Sequence, residues 1–180
     1  MAFNLSDVRV LPVTMLNQVV ETERLIIQPM SETDSEQIAV LGNDRDVFKY
    51  IPEISTPFDV GTWMKAILEN PENYVRHVVV EKHTSNIAGF VLLNRRPNMD
   101  LQLGFWFGKK YWGKGYASEV VGALLVFLRS LGVRSSIYAA VHPNNIASQK
   151  VIKKFGFEML KDTKKDSSVY HDMVDYSLML

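Results

Sequence analysis

The sequence predicts a mixed α+β fold built on one sheet, and three observations carry that prediction. Two β-rich runs, YVRHVVVE (74–81) and NIAGFVLLN (86–94), flank a polar turn at 84–86 and read as a hairpin. A third apolar run, LQLGFWF (101–107), is followed by a long apolar-periodic segment (116–131) and then by SSIYAAV (135–141), so a helix crosses between two strands. After that crossover come one short helix and two closing strands. Hairpin strands joined to a single helical crossover describe a mixed sheet, not a regular strand–helix alternation.

Taken in order, residues 8–13 suit an edge strand weakened by Pro12. RLIIQ (24–28) is a short strand that should stop at Pro29. Ser31 can cap a helix reaching Gly42. Residues 43–57 are loop-like, and Thr56-Pro57 offers a cap and first position for a helix through about Asn70. That helix places Val60, Trp63, Met64, Ile67 and Leu68 on one face. In the segment 116–131, Tyr116, Val120, Leu124, Phe127, Leu128 and Leu131 keep a helical spacing and should face the core, with Gly132 as the stop. His142-Pro143-Asn144-Asn145 is a turn with a built-in cap for a helix over 146–155. Residues 157–160 and 169–180 read as strands around a polar loop.

At 180 residues one domain over 1–180 is the expectation, with 47% apolar residues to build its core. Twenty basic and twenty acidic residues cancel, which argues against bulk binding to nucleic acid or an anionic membrane. No cysteine means no disulfide, thiolate metal site or thiol nucleophile, and fits a cytoplasmic location. The start MAFNLSDVRV lacks the basic and apolar blocks of a signal peptide, and no apolar run reaches ~18 residues. His77, His83, His142 and His171 show no metal-ligand spacing, so no metal is expected.

The strand–glycine turn–helix order around residues 107–117 is the arrangement that puts unpaired N–H groups and a positive helix end before an anion. Lys109, Lys110 and Lys114 add charge, and Gly113 and Gly115 let the backbone come close. Two kinds of phosphate loop fit poorly. A P-loop needs Ser or Thr where Gly115 stands, to hold Mg²⁺. A dinucleotide fingerprint needs a third glycine where Ser118 stands, and an acid about twenty residues on, which is missing.

An acyl-CoA loop fits better. YWGKGYASE, the opening ETERLIIQPM and the late HPNNIASQKVIKKFGFE together resemble the GNAT N-acetyltransferase superfamily. Within it they are most similar to the branch that acetylates ribosomal-protein N-termini (RimJ/RimL-like), and the resemblance covers about residues 21–180. It implies a mostly antiparallel sheet flanked by helices, with two central strands splayed around acetyl-CoA. It further implies that the pattern [QR]-x-x-G-x-[GA] falls on Lys110 to Gly115. Backbone N–H groups from Trp112, Gly113, Lys114, Gly115, Tyr116 and Ala117 would then hold the pyrophosphate, with Lys110 keeping a cation at the first position. The strand end Phe105, Trp106 and Phe107 would run beside the pantetheine arm. Asn145 matches the late Asn of the family. Lys150, Lys153 and Lys154 either face the 3′-phosphate, with Lys154 the best placed, or form a solvated helix face.

For chemistry, no cysteine and no G-x-S-x-G elbow leave direct attack by an amine on the thioester. The family's common E-x-G reads Gln102-Leu103-Gly104 here, and Gln cannot accept a proton at neutral pH. Asp100 sits two residues earlier and either substitutes through water or is a turn residue; Asp166, Asp172 and Asp175 are further candidate bases. The family's frequent acid Tyr corresponds to Ile152. In the N-terminal-acetylating branch the acid role goes to a Ser that matches Ser148, unless Ser148 is merely a small helix residue under the cofactor. Tyr50, Phe58 and Trp63 are core or acceptor-pocket wall. The expectation is a monomeric or homodimeric N-acetyltransferase acting on a protein or peptide α-amine. A small-amine acetyltransferase and a non-catalytic CoA sensor stand as alternatives.

Overall fold

The computed structural model describes residues 13–52, 54, 57–68, 74–96, 100–161 and 172–180. Its strands are β1 (Val20–Glu21), β2 (Leu25–Pro29), β3 (Tyr74–Glu81), β4 (Ile87–Arg95), β5 (Leu101–Phe107), β6 (Ser136–Val141), β7 (Glu158–Met159) and β8 (Val174–Met179). They form one eight-stranded sheet in the order β1-β2-β3-β4-β5-β6-β8-β7. The first five are sequential antiparallel neighbours, and β8 lies antiparallel between β6 and β7. β6 runs parallel to β5, and parallel neighbours need a crossover, which the helix α4 (Tyr116–Ser130) supplies.

The predicted α+β architecture with splayed central strands is present. β4 and β5 pair over their full length, from Gly89 opposite Phe107 to Arg95 opposite Leu101. β5 and β6 share two positions, Leu101 opposite Ile137 and Gln102 opposite Tyr138. Beyond Gln102 no rung joins them among the described residues, so a gap opens between 103–107 and 139–141.

Strand alternation gives the two faces of the gap different neighbours. Gln102, Gly104 and Trp106 share a face with Asn94, Leu92 and Phe90. This face lies under α2 (Ser35–Gly42) and α3 (Val60–Leu68), where Trp106 meets Phe48 edge-on at 5.0 Å and Trp63 at 6.1 Å. Leu101, Leu103 and Phe107 alternate to the opposite face, which α4 and α5 (Ile146–Lys154) cover. There α4 buries Tyr116, Val120, Val121, Leu124, Leu125 and Leu128; Phe127 and Leu131, also expected in the core, are half-buried.

Several boundaries depart from expectation for local reasons. Residues 8–12 of the expected edge strand lie outside the described residues, and Val13 opens a short helix, α1 (Val13–Leu16). β2 keeps Pro29, which closes the strand opposite His77. Ser31 forms a capping box with Asp34, but around a 3₁₀ turn (Glu32–Asp34) that precedes α2. α3 starts at Val60 instead of Pro57. The Asp59 carboxylate accepts the Thr62 N–H at 3.1 Å and hydroxyl at 2.6 Å, and so supplies the cap. Thr56 lies outside the described residues, as does 162–171 of the last loop. No described helix is long and apolar enough to cross a membrane.

Candidate functional site

The turn after β5 is built from its own backbone. Gly108 donates to the Ala88 carbonyl at 3.0 Å, and a 3₁₀ turn (Lys109–Tyr111) follows, with Tyr111 N–H on the Gly108 carbonyl at 2.9 Å. Trp112 N–H donates to the Lys109 carbonyl at 3.1 Å, and the Trp112 indole reaches back to the Phe107 carbonyl at 2.7 Å. Trp112 therefore shapes the turn with both donors, and the run of available N–H groups begins one residue later than expected. Gly113 and Gly115 hold φ of 74° and 81°. A Cβ at Gly113 would meet nothing within 4 Å, so glycine is required there for its left-handed backbone and not for room. From Gly113 to Ser118 no N–H finds an acceptor among the described residues; the first helical bond runs from Glu119 N–H to the Gly115 carbonyl at 3.0 Å. Six successive N–H groups without an acceptor and the positive end of a fifteen-residue helix thus follow directly on the end of β5, beside the gap.

The cations predicted at this turn divide into two sets. Lys109 is engaged elsewhere: it pairs with Asp46 at 2.5 Å and Asp44 at 3.5 Å, pinning the loop after α2, and the Lys109 hydrogen bond holds the Asp46 carboxyl below its usual range. Lys110 and Lys114 are exposed, each about 5 Å from the centre of the Tyr111 ring (5.0 and 5.1 Å).

Behind the turn lies a network that sequence reasoning missed. Arg24 donates from Nη1 to the Lys114 carbonyl at 2.9 Å, inside the turn. Its Nε and Nη2 hold Glu119 Oε2 at 2.7 and 2.5 Å. Glu119 Oε1 accepts the Arg24 backbone N–H at 3.0 Å and the Thr22 hydroxyl at 2.5 Å. Burial alone would raise the Glu119 carboxyl, but the Thr22 and Arg24 donors outweigh it and hold it low. The Arg24 guanidinium stacks at 4.7 Å over Tyr116, whose hydroxyl donates to Glu81 at the end of β3. That hydrogen bond raises the Tyr116 hydroxyl and lowers the Glu81 carboxyl. One local signal pointed here: Glu119 is an acid in the first turn of a helix that follows a lysine- and glycine-rich turn, and a carboxylate beside a turn read as an anion site calls for a nearby cation.

At the other end of the gap, half-buried Gln102 sits on the last rung before the strands part. Next along its face is Gly104, where an added Cβ would find only Leu92 Cβ at 3.9 Å. Beyond it, buried Trp106 leaves its indole Nε1 without a partner, as does the buried Oδ1 of Asn94 opposite Gln102, among the described residues. Asp100 accepts the Ser136 N–H at 3.0 Å and ties the start of β5 to the start of β6, which matches its reading as a turn residue. Asp175 lies opposite Ala140 on the Gln102 face, Asp172 just precedes β8, and Asp166 lies outside the described residues.

Asn145 caps α5, its Oδ1 accepting the Ser148 N–H at 3.1 Å, and Ser148 is half-buried in the first turn. Ile152 is fully buried, so the position of the family's Tyr is a core position here. Lys153 turns back to Gln149 at 3.3 Å and lies over Tyr176; Lys150 and Lys154 are exposed. Tyr50 stacks on His142 at 5.1 Å, while Phe58 and Trp63 pack together at 5.7 Å. His77 is buried, donates from Nε2 to the Gln18 carbonyl at 3.0 Å, and is pushed by burial down to about 4. The described residues contain no cluster of three metal-ligating side chains.

Comparison with known proteins agrees with this geometry. Residues 24–158 match the model of the acetyltransferase (GNAT) domain. An uncharacterized N-acetyltransferase of Bacillus licheniformis, p20, is 30% identical over 172 residues, covering 88% of this chain and 94% of that protein. The fold is shared with a GNAT-family acetyltransferase from Bacillus anthracis (24% identity, TM-score 0.73, 90% of this chain and 98% of that one). It is also shared with Mycobacterium smegmatis RimJ in complex with CoA-disulfide (15% identity, TM-score 0.72, 92% and 88%). A sheet parted at Gln102, a glycine turn with free donors beside the parting, and these matches place the chain in the GNAT family of acetyl-CoA-dependent N-acetyltransferases.

Proposed function

We propose that this chain moves the acetyl group of acetyl-CoA directly to the α-amine of a protein or peptide N-terminus. The CoA pyrophosphate takes the N–H groups of Gly113 to Ser118, and the pantetheine arm runs along 103–107 in the place of a missing strand. Asn145 uses its Oδ1 for the helix cap, which leaves its amide nitrogen for the cofactor. The neutral amine attacks the thioester carbonyl carbon, the C–S bond breaks, the ammonium loses its proton to solvent water, and the CoA thiolate is protonated through the Ser148 hydroxyl, which takes a proton back from solvent as it gives its own.

The observation that carries the choice of acceptor is Gln102 at the parting of the strands. A carboxylate there would help deprotonate an amine, and Gln cannot. An α-amine, with a pKa of about 7.7–8.0, is roughly a tenth or more neutral at pH 7, whereas a lysine amine at about 10.4 is neutral in less than about one part in a thousand. The site suits the acceptor that needs less help. The test is a screen of free lysine, polyamines, aminoglycosides and N-terminal peptides, with release of free thiol as the readout and mass spectrometry of the product. Peptides acetylated at the N-terminus with the highest kcat/KM are expected. Faster acetylation of lysine or spermidine would overturn the acceptor assignment, and CoA binding without turnover on any acceptor would identify a sensor.

A further inference from the structure

The network behind the glycine turn gives Arg24 and Glu119 a role of their own. Glu119 is the single acid in the first turn of α4, and α4 points its N-terminus at the turn. Unpaired, it would lie beside the free N–H groups and repel the phosphates they are to hold. Arg24 is bonded to both parties, with two nitrogens on Glu119 and the third on the Lys114 carbonyl between Gly113 and Gly115. The Thr22 hydroxyl and the Arg24 N–H fill the other carboxylate oxygen. Stacking on Tyr116, itself bonded to Glu81, fixes the plane of the guanidinium.

We propose that Arg24 is a positioning residue for the CoA phosphates and that Glu119 is the charge it has to neutralise in doing so. Arg24 fixes the turn through the Lys114 carbonyl and at the same time cancels the charge of Glu119, so that the helix N-terminus stays attractive to an anion. Neither side chain has to touch the ligand. This rests on the assignment of CoA to the turn, and it makes the segment 22–24, some ninety residues away in sequence, part of the cofactor site.

A purely mechanical brace and a charge-cancelling pair predict different double-variant behaviour. CoA binding is measured by calorimetry for the full chain, Arg24→Gln, Glu119→Gln and the double variant, at low and high salt. Arg24→Gln is expected to weaken CoA about tenfold, with a smaller loss at high salt, where charge repulsion is screened. Glu119→Gln should bind CoA at least as tightly as the unaltered chain, because it removes the repelling charge and leaves Arg24. The double variant should recover most of the affinity lost in Arg24→Gln. Equal weakening in both single variants and in the double, independent of salt, would overturn the charge-cancelling role, as would an unchanged affinity in Arg24→Gln. Absence of CoA binding by the unaltered chain would overturn the assignment of the turn itself, a distinct result.

Discussion

The turn end of the gap and the seam end are held in opposite ways. At the turn, Thr22, Arg24, Glu81, Tyr116 and Glu119 answer one another across β1–β2, β3 and α4, and the open hydrogen-bonding capacity is a row of backbone N–H groups. At the seam, the side chains carry the open capacity: Trp106 Nε1 and Asn94 Oδ1 are buried without partners among the described residues, beside the bare backbone of Gly104. A buried polar atom without a partner costs about 1–3 kcal/mol, so such atoms persist where something else completes them. The contrast teaches a division of labour. On the proposed assignment, the end that takes the CoA phosphates is preorganised by side chains bonded to one another, and the seam end keeps its own side chains open.

Four changes break or sharpen this contrast. Ser148→Ala carries the largest expected effect, a loss of turnover on the order of a hundredfold with acetyl-CoA affinity within about twofold; unchanged turnover would remove Ser148 from the acid role. Next comes Gly115→Val, which forces a β-branched residue to φ 81°. That strain of about 1–3 kcal/mol should weaken CoA roughly ten- to a hundredfold in calorimetry while the circular dichroism spectrum stays native, and tight CoA binding would show that the turn tolerates another path. Gly104→Val tests the seam end. An added Cβ there has Leu92 Cβ as its nearest atom at 3.9 Å, and the branched side chain would stand in the 103–107 run assigned to the pantetheine arm, so it should raise both the acetyl-CoA Kd and the acceptor KM about tenfold while the fold is kept. An acceptor KM that does not move would mean the acceptor approaches elsewhere.

The smallest effect on catalysis belongs to His77, on the sheet but at neither end. Burial holds its folded-state pKa at about 4, below the free value of 6.5, so the unfolded chain takes up the proton first. The stability due to the neutral ring is present above pH 6.5 and is lost as the pH falls from 6.5 towards 4. Between pH 7 and 5 the loss is about 2 kcal/mol, read as a drop in urea midpoint that His77→Gln should reduce. A parallel pH dependence in both proteins would contradict it.

Local grammar made much of this legible. The glycine turn, the crossover helix after it and the Asn145 cap were readable because each rests on contacts within a few residues, and the strands because their apolar runs are local even though their pairing is not. α3 shifted because Asp59 offered a stronger cap two residues after Pro57. The site was legible where it is backbone, at Gly113 to Ala117, and opaque where it is pairing. That β5 and β6 part after Gln102 is a fact of register, which no local pattern encodes. The Arg24–Glu119 pair bridges 95 residues in sequence and follows from the sheet order. Lys109 looked like a phosphate cation until its partners, Asp44 and Asp46, came into view from the loop after α2.

The two-rung seam has a consequence of another kind. Each half of the sheet is contiguous in sequence, β1 to β5 and then β6 to β8, and the covalent link between the halves is the glycine turn with α4. The element proposed to hold the CoA phosphates is also the tether between the halves. A ligand bound to that tether and to both lips of the gap lowers the free energy of the assembled sheet alone, by about 2.7 kcal/mol at a hundredfold excess over its Kd. On the proposed assignment, the protein's resistance to unfolding becomes a gauge of the acetyl-CoA around it.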